Sequence, residues 1–369
     1  MFRGELILTV ESQRLLVFAG SYAEAEDSGV YVYAFDEEKG TLTLSDEYAG
    51  LKNPTFLNVD AQRKLLYVIS ETVNAAGQKV GEAAAFSIDA DKGTIKLINR
   101  EITVDSTTCH IQRDAQSRFL TVTSYHGGMI GLFSITSEGA IGHKLDVQQH
   151  SGSSQHPERQ DRPHPHSSFY SPDGRYLLIS DLGLDLVVTY ALDEANEKLV
   201  RQGEIALEPG AGPRHLTFHP GGSYVYVINE VNSSITSFNY DKETGLLTTL
   251  QTVSTLPADY LDENSCAEIT VSADGKYLYG SNRGHDSIAV FAIDEQSGLL
   301  SHVQHVSVEG GHPRHFAITP NGNYLLAANR DSNNIVTFKI DQQSGKLQHT
   351  GISTQVAKPV CVVPIYLTT

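Results

Sequence analysis

Six times along the chain a short alternating apolar run, a tight turn and a second apolar run follow one another, and this repeat restricts the fold more than any other feature. Aligned on the residue before the first run, the copies begin at Pro54, Cys109, Pro165, Pro213, Cys266 and Pro313, in steps of 55, 56, 48, 53 and 47 residues. Two of them, PRHLTFHPGGSYVYVINE from Pro213 and PRHFAITPNGNYLLAANR from Pro313, are near duplicates. A third run and an acidic turn follow, as in ITSFNYDKETGLL and IAVFAIDEQSGLL, and a fourth run comes after the glycine. Alternation with a period of two, rich in Val, Ile, Tyr and Phe and bounded by Asp-Gly, Gly-Gly or Asn-Gly, specifies antiparallel strands joined by hairpins. The 3.6-residue period of helical repeats is almost absent. Each unit is therefore a four-stranded sheet. One such sheet cannot cover both of its faces, and radial stacking around an axis, the β-propeller, removes the problem.

The chain ends give the count. PVCVVPI from Pro359 supplies a first strand only, whereas RLLVFAGSY, GVYVYAFD and TLTLSDEY near the start supply three later strands without a first. Joined, they complete a seventh blade and close the ring, so the expected fold is an all-β, seven-bladed propeller forming a single domain over 1–369. Residues 1–13 are expected to be an extra strand or an extension, and 143–164 an inserted loop, a class that is often functional. Trp is absent and the step exceeds the roughly 40–45 residues of WD40 repeats, so this is another propeller class.

Composition limits the partners. A formal charge of -17 repels nucleic acid and anionic membranes, with no basic run to offset it. No apolar stretch reaches the roughly 20 residues of a membrane span, and no signal-like segment opens the chain, so a cytoplasmic location is expected. The three cysteines have neither disulfide nor zinc spacing and read as free thiols. The His-rich stretch HSGSSQHPERQDRPHPH lacks zinc-motif spacing, so no metal is expected. P-loop, dinucleotide and GxSxG motifs are missing, which argues against NTPase, dehydrogenase and serine-hydrolase chemistry.

Equivalent positions in a propeller lie at one height around the axis, so a column of the repeat becomes a ring. The column opening each first strand holds Thr55, His110, His166, Arg214, Ala267, Arg314 and Val360. The column closing each second strand holds Glu71, Tyr125, Leu182, Glu230, Arg283 and Arg330. Antiparallel pairing puts both on the same face of the ring, so these histidines, arginines and glutamates are expected to converge at one channel mouth. The simpler expectation for such residues is a solvated polar rim of interblade ion pairs.

The segments ERQDRPHPHSSFYSPDGRYLLISDLGLD, GPRHLTFHPGGSYVYVINE, SADGKYLYGSNRGHDSI and HPRHFAITPNGNYLLAANR resemble the seven-bladed lactonase family that includes the cycloisomerase-type 6-phosphogluconolactonases. The resemblance runs from RLLVFAGSY to PVCVVPI. It implies cofactor-free hydrolysis of 6-phosphogluconolactone to 6-phosphogluconate in the pentose phosphate pathway. The related carboxy-cis,cis-muconate cyclases imply the alternative of another lactone, and a propeller that only binds a protein or a sugar phosphate is the non-enzymatic alternative. By the cyclase motifs, the catalytic residues are His166, Arg214, Glu230 and Arg283. Ring opening needs a base to activate water, for which Glu230 or His166 is expected, and cations at the oxyanion, for which Arg214 and Arg283 are expected. Arg314, Arg330 and Arg159 are expected on the phosphate, because a planar guanidinium pairs with its oxygens. His110, His164 and Glu71 complete the expected binding set.

Overall fold

The computed structural model describes residues 12–369, in which 28 strands form seven four-stranded antiparallel sheets. Expectations for residues 1–11 lie outside the described residues. In chain order the blades occupy 57–102, 110–149, 165–206, 213–254, 265–307 and 313–355. The seventh joins the two ends of the chain: Pro359–Thr368 pairs with Gln13–Ser21, from Gln13 opposite Thr368 to Ser21 opposite Pro359, and Ser28–Asp36 and Thr41–Ala49 follow outward. Among the described residues no helix is long and apolar enough to cross a membrane.

The apolar residues are used between blades. Seven hydrophobic clusters each join two neighbouring sheets, such as Leu178, Val187 and Leu216 with Val225, Val227 and Phe238 between the third and fourth blades. Burial of this kind stabilises by roughly 25 cal/mol per Å² of apolar surface, and here no blade collects it without its neighbours. The acidic turns lock the same seams. Gly245, Gly298 and Gly345 have φ of 74°, 69° and 68°. A Cβ there would come within 2.7, 2.5 and 2.3 Å of Tyr176, Tyr224 and Tyr277 of the preceding blade. Nearby, the Tyr226 and Tyr279 hydroxyls donate to the Gly298 and Gly345 carbonyls at 3.1 and 2.9 Å. The repeat thus keeps a glycine in the turn both for its conformation and for the ring packed on it.

The inserted loop is shorter than expected. Residues 143–149 belong to the outer strand Ile141–Gln149, so the connection is 150–164, not 143–164. That strand is the outermost of its blade and mostly solvated, so it carries few apolar residues and looks like loop in the sequence. The connection itself is pinned down. His150 lies 2.6 Å from Asp181 Oδ2 through Nδ1 and 2.9 Å from the Tyr190 hydroxyl through Nε2. The Gln160 side chain donates to Asp185 Oδ1 at 2.6 Å and to the Leu182 carbonyl at 2.9 Å.

Candidate active site

The inner strands do not simply alternate. In the third, fourth and sixth blades the register with the second strand slips between Pro165 and Ser167, Pro213 and His215, and Pro313 and His315. The residue taken up by each slip is His166, Arg214 or Arg314. A bulge sets two residues against one and redirects the extra side chain, so Arg214 and His215, although adjacent, both reach the channel cavity, as do Arg314 and His315.

This cavity, of about 340 Å³, lies within the roughly 300–1,000 Å³ of small-molecule sites. Its wall includes Tyr22, Glu71, Tyr125, Arg159, His166, Arg214, Glu230 and Arg314, with His215 and His315 deeper. A second, more open groove of about 690 Å³ shares Arg159 and Glu230 with it and is bounded by Arg283, Asp286 and His312.

Glu230 ties the two together. Its Oε2 is 3.0 Å from Arg214 Nε and 3.0 Å from Arg283 Nη2, and its Oε1 accepts from Arg159 Nη2. Burial pushes the Glu230 carboxyl up, but Arg283, Arg214 and Arg159 together outweigh it and hold it well below the usual carboxylate range. Three cations on one carboxylate make Glu230 their shared counter-ion and a weak proton acceptor, which favours His166 of the two expected bases. Arg214 is further fixed by donating from Nη1 to the Ala267 carbonyl at 2.5 Å. Burial, then Arg283 and Arg314, push it down to about 9, so it remains cationic at neutral pH.

His166 is buried, and its Nδ1 has no protein partner. Burial first, then Arg214, His215 and Arg314, push its pKa well below the ordinary 6.5. It therefore presents a neutral imidazole to a cationic cavity. Arg314 differs from the other arginines: among the described residues it has no carboxylate partner, and its guanidinium lies 5.7 Å from the Tyr22 ring centroid. Glu71 is on the wall and accepts from Asn53 Nδ2 at 3.1 Å.

Other expected residues lie elsewhere. Arg283 faces the second groove and donates to the Cys266 carbonyl at 2.5 Å, so its link to the channel runs through Glu230. Arg330 is captured by its own neighbour, Nε donating to Asp331 Oδ1 at 2.6 Å, and lines neither cavity. His110 is fully buried below the cavity, its ring 4.3 Å from Phe56 and 4.9 Å from Phe169. His164 is a brace: it stacks on Tyr125 at 4.2 Å and lies 2.8 Å from that residue's carbonyl through Nδ1. Arg330, His110 and His164 thus do not line the channel cavity, unlike the other expected binding residues Arg159, Glu71 and Arg314.

Sequence reasoning missed His215, His315 and Glu268. They occupy one column of the repeat, next to that of Arg214, and Glu268 Oε2 is 3.0 Å from His215 Nδ1 and 3.1 Å from His315 Nε2. The signal was present in the two PRH copies, which keep the histidine as well as the arginine. Tyr125, in the second column but given no role from the sequence, accepts through its hydroxyl from Arg159 Nε at 3.4 Å.

A seven-bladed ring with a cationic pocket on its axis and a neutral imidazole inside it defines a class of enzyme. The profile of the family described as Lactonase, 7-bladed beta-propeller, matches residues 16–364, and the chain belongs to that family. It is 35% identical over 303 residues to the 6-phosphogluconolactonase of Bacillus subtilis, covering 82% of this chain and 84% of that one. It is 36% identical over 316 residues to the 6-phosphogluconolactonase of Formosa agariphila, covering 82% and 86%. Among solved structures, the periplasmic gluconolactonase PpgL of Pseudomonas aeruginosa superposes with a TM-score of 0.89 at 31% identity, covering 96% of this chain and 99% of that one. The protein is a lactonase of this seven-bladed family.

Proposed function

We propose that the enzyme hydrolyses 6-phosphogluconolactone to 6-phosphogluconate by attack of water at the lactone carbonyl, and that it does so in the cytoplasm. The observation that carries the phosphorylated substrate is Arg314, a cavity arginine without a carboxylate partner. Glu230 offsets the charge of Arg214, Arg283 and Arg159, so Arg314 is the cation most open to an incoming dianion. The two named 6-phosphogluconolactonases add support. A phosphate dianion does not cross a bilayer unaided, which favours the compartment where sugars are phosphorylated.

In this reading Arg314 and Arg159 hold the phosphate. The neutral His166 takes the proton of the attacking water, and Arg214 stabilises the oxyanion that develops at the carbonyl. Aimed charge of this kind is worth about 3–4 kcal/mol of barrier. His166 as imidazolium then returns the proton to the leaving ring oxygen, so one group serves both half-steps.

Substrate choice tests the proposal. Arg314→Met is expected to raise KM for 6-phosphogluconolactone by about 10- to 100-fold, the loss of one charge-assisted contact, and to leave gluconolactone turnover within about twofold. Equal effects on both lactones, or a wild-type preference for gluconolactone, would overturn the phosphate assignment.

A further inference from the structure

The chemistry assigned above uses one imidazole, yet a second one faces the same cavity. His215 is buried among the channel residues, and its Nε2, like His166 Nδ1, is buried without a protein partner. The two rings are 5.2 Å apart and nearly edge to face. No hydrogen bond joins them directly.

The surrounding hydrogen bonds fix which nitrogen of His215 carries its hydrogen. The backbone N–H of Val362 donates to His315 Nδ1 at 3.3 Å, so the hydrogen of His315 is on Nε2, which lies 3.1 Å from Glu268 Oε2. The N–H of Ile269 occupies Glu268 Oε1 at 3.0 Å. His215 Nδ1 is hydrogen-bonded to Oε2 at 3.0 Å, and Glu268 as a carboxylate can only accept, which puts the hydrogen of His215 on Nδ1. A carboxylate held by two hydrogen bonds and one further close imidazole keeps its orientation without help from substrate. The consequence is a bare lone pair on Nε2 of His215, a residue of the cavity lining.

We propose that His215 is a catalytic residue of the lactonase, oriented by Glu268 as a positioning residue, and that its Nε2 and His166 Nδ1 together hold the hydrolytic water. A water donating one hydrogen to each acceptor, at about 2.8–3.0 Å per bond, keeps its own lone pairs turned outward to the carbonyl carbon. As the oxygen adds to that carbon, one hydrogen passes to an imidazole, the ring C–O bond breaks, and the imidazolium returns the proton to the leaving alkoxide. Lactone and water are consumed, a hydroxy acid is formed, and no co-reactant is needed.

The pairing rests on His166 as proton acceptor, not on the phosphorylated substrate, so it is tested with whichever lactone the wild type turns over best. His215→Asn is the informative variant, because the amide nitrogen overlies Nδ1 and keeps the bond to Glu268 while Nε2 is removed. We expect kcat to fall by about 10²- to 10⁴-fold, the range of general acid-base help, with KM within about threefold and an unchanged melting temperature. His215→Ala is expected to regain part of kcat with added imidazole. Normal kcat in His215→Asn overturns the proposal, as does a loss that follows a falling melting temperature and is not restored by imidazole in the alanine variant. His166→Asn is measured beside them. If it alone is inactive, only the pairing fails; if it alone is active, the role of His166 in the proposed function fails instead.

Discussion

At the scale of single residues, the site is governed by which arginine has a counter-ion. Arg214, Arg283 and Arg159 share one carboxylate, Glu230, so their separate charges do not add up to a general anion trap. Arg214 is the one of the three that lines the channel cavity without reaching the second groove, and its fork makes two contacts at once. Nε faces Glu230 at 3.0 Å and Nη1 reaches the Ala267 carbonyl at 2.5 Å, which aims the guanidinium across the channel. A lysine in its place keeps a charge but has one nitrogen for all these directions. Arg214→Lys is therefore expected to lose about 100-fold or more in kcat, as when an oxyanion donor is removed. The expected cost in stability is only about 1–2 kcal/mol for the lost hydrogen bonds. Steady-state kinetics with a denaturation curve on the same preparation checks it, and near-normal turnover would remove Arg214 from the oxyanion. The same scale explains which residues could be read from the repeat. Its period fixes height around the axis, so the columns of Arg214 and Glu230 were legible. What a side chain does at that height depends on its neighbour: Glu230 is followed by Val231, whereas Arg330 is followed by Asp331, which captures it.

At the scale of the element, the bulge decides what was not legible. Strict alternation along an inner strand turns His215 away from the face of Arg214, and only the register slip after Pro213 brings both to the channel. The strands, their order and the closure of the ring followed from alternation and turn residues alone, because those are local properties. The loop 150–164 is the other element that sets the site, since it delivers Arg159 to Glu230 and Tyr125. Its position depends on Gln160, the neighbour of Arg159, held by Asp185 Oδ1 at 2.6 Å and the Leu182 carbonyl at 2.9 Å. Gln160→Ala breaks both bonds, together with the one that Gln160 Oε1 accepts from the His156 N–H at 2.9 Å, and leaves the strands untouched. A hydrogen bond to a charged group contributes about 1.5–3 kcal/mol, so loosening the loop is expected to raise KM about tenfold. Turnover at saturation should stay near wild type. Amide exchange in 154–160 should quicken while exchange in the strands does not. Unchanged exchange together with unchanged KM would show that the loop does not need this anchor.

At the scale of the whole molecule, the channel couples catalysis to stability through its histidines. His110, His166, His215 and His315 are buried on the axis, and burial is the main cause that lowers each of their pKa values below the ordinary 6.5. Neighbouring histidines and arginines lower them further, and His315, which Glu268 pulls back up, is left at about 4. Unfolding returns all four to water, where they bind protons at their ordinary pKa. The unfolded chain therefore takes up more protons than the native ring below about pH 6.5, and stability falls as pH falls. Each such group contributes up to about 1.4 kcal/mol per pH unit until its native pKa is reached. Glu268 acts in the opposite sense, since burial raises its carboxyl and acidification relieves it, but it is one group against four. The depressed Glu230 carboxyl loses its contribution only below the ordinary carboxylate value of 4.5. In the window from about pH 6.5 to 4.5 the histidines dominate. Because each interblade core needs both of its blades, the ring is expected to melt in one transition. That transition should move to lower temperature steadily from pH 7 to pH 5. Thermal unfolding followed by circular dichroism across this range checks it, and the substitution His110→Phe, which removes one channel histidine without entering the cavity wall, should flatten the slope by one histidine's share, since His126, His305 and His312 are lowered too and still contribute. A melting temperature independent of pH above 5 would mean that the channel histidines are hydrated and titrate alike in the folded and unfolded chain.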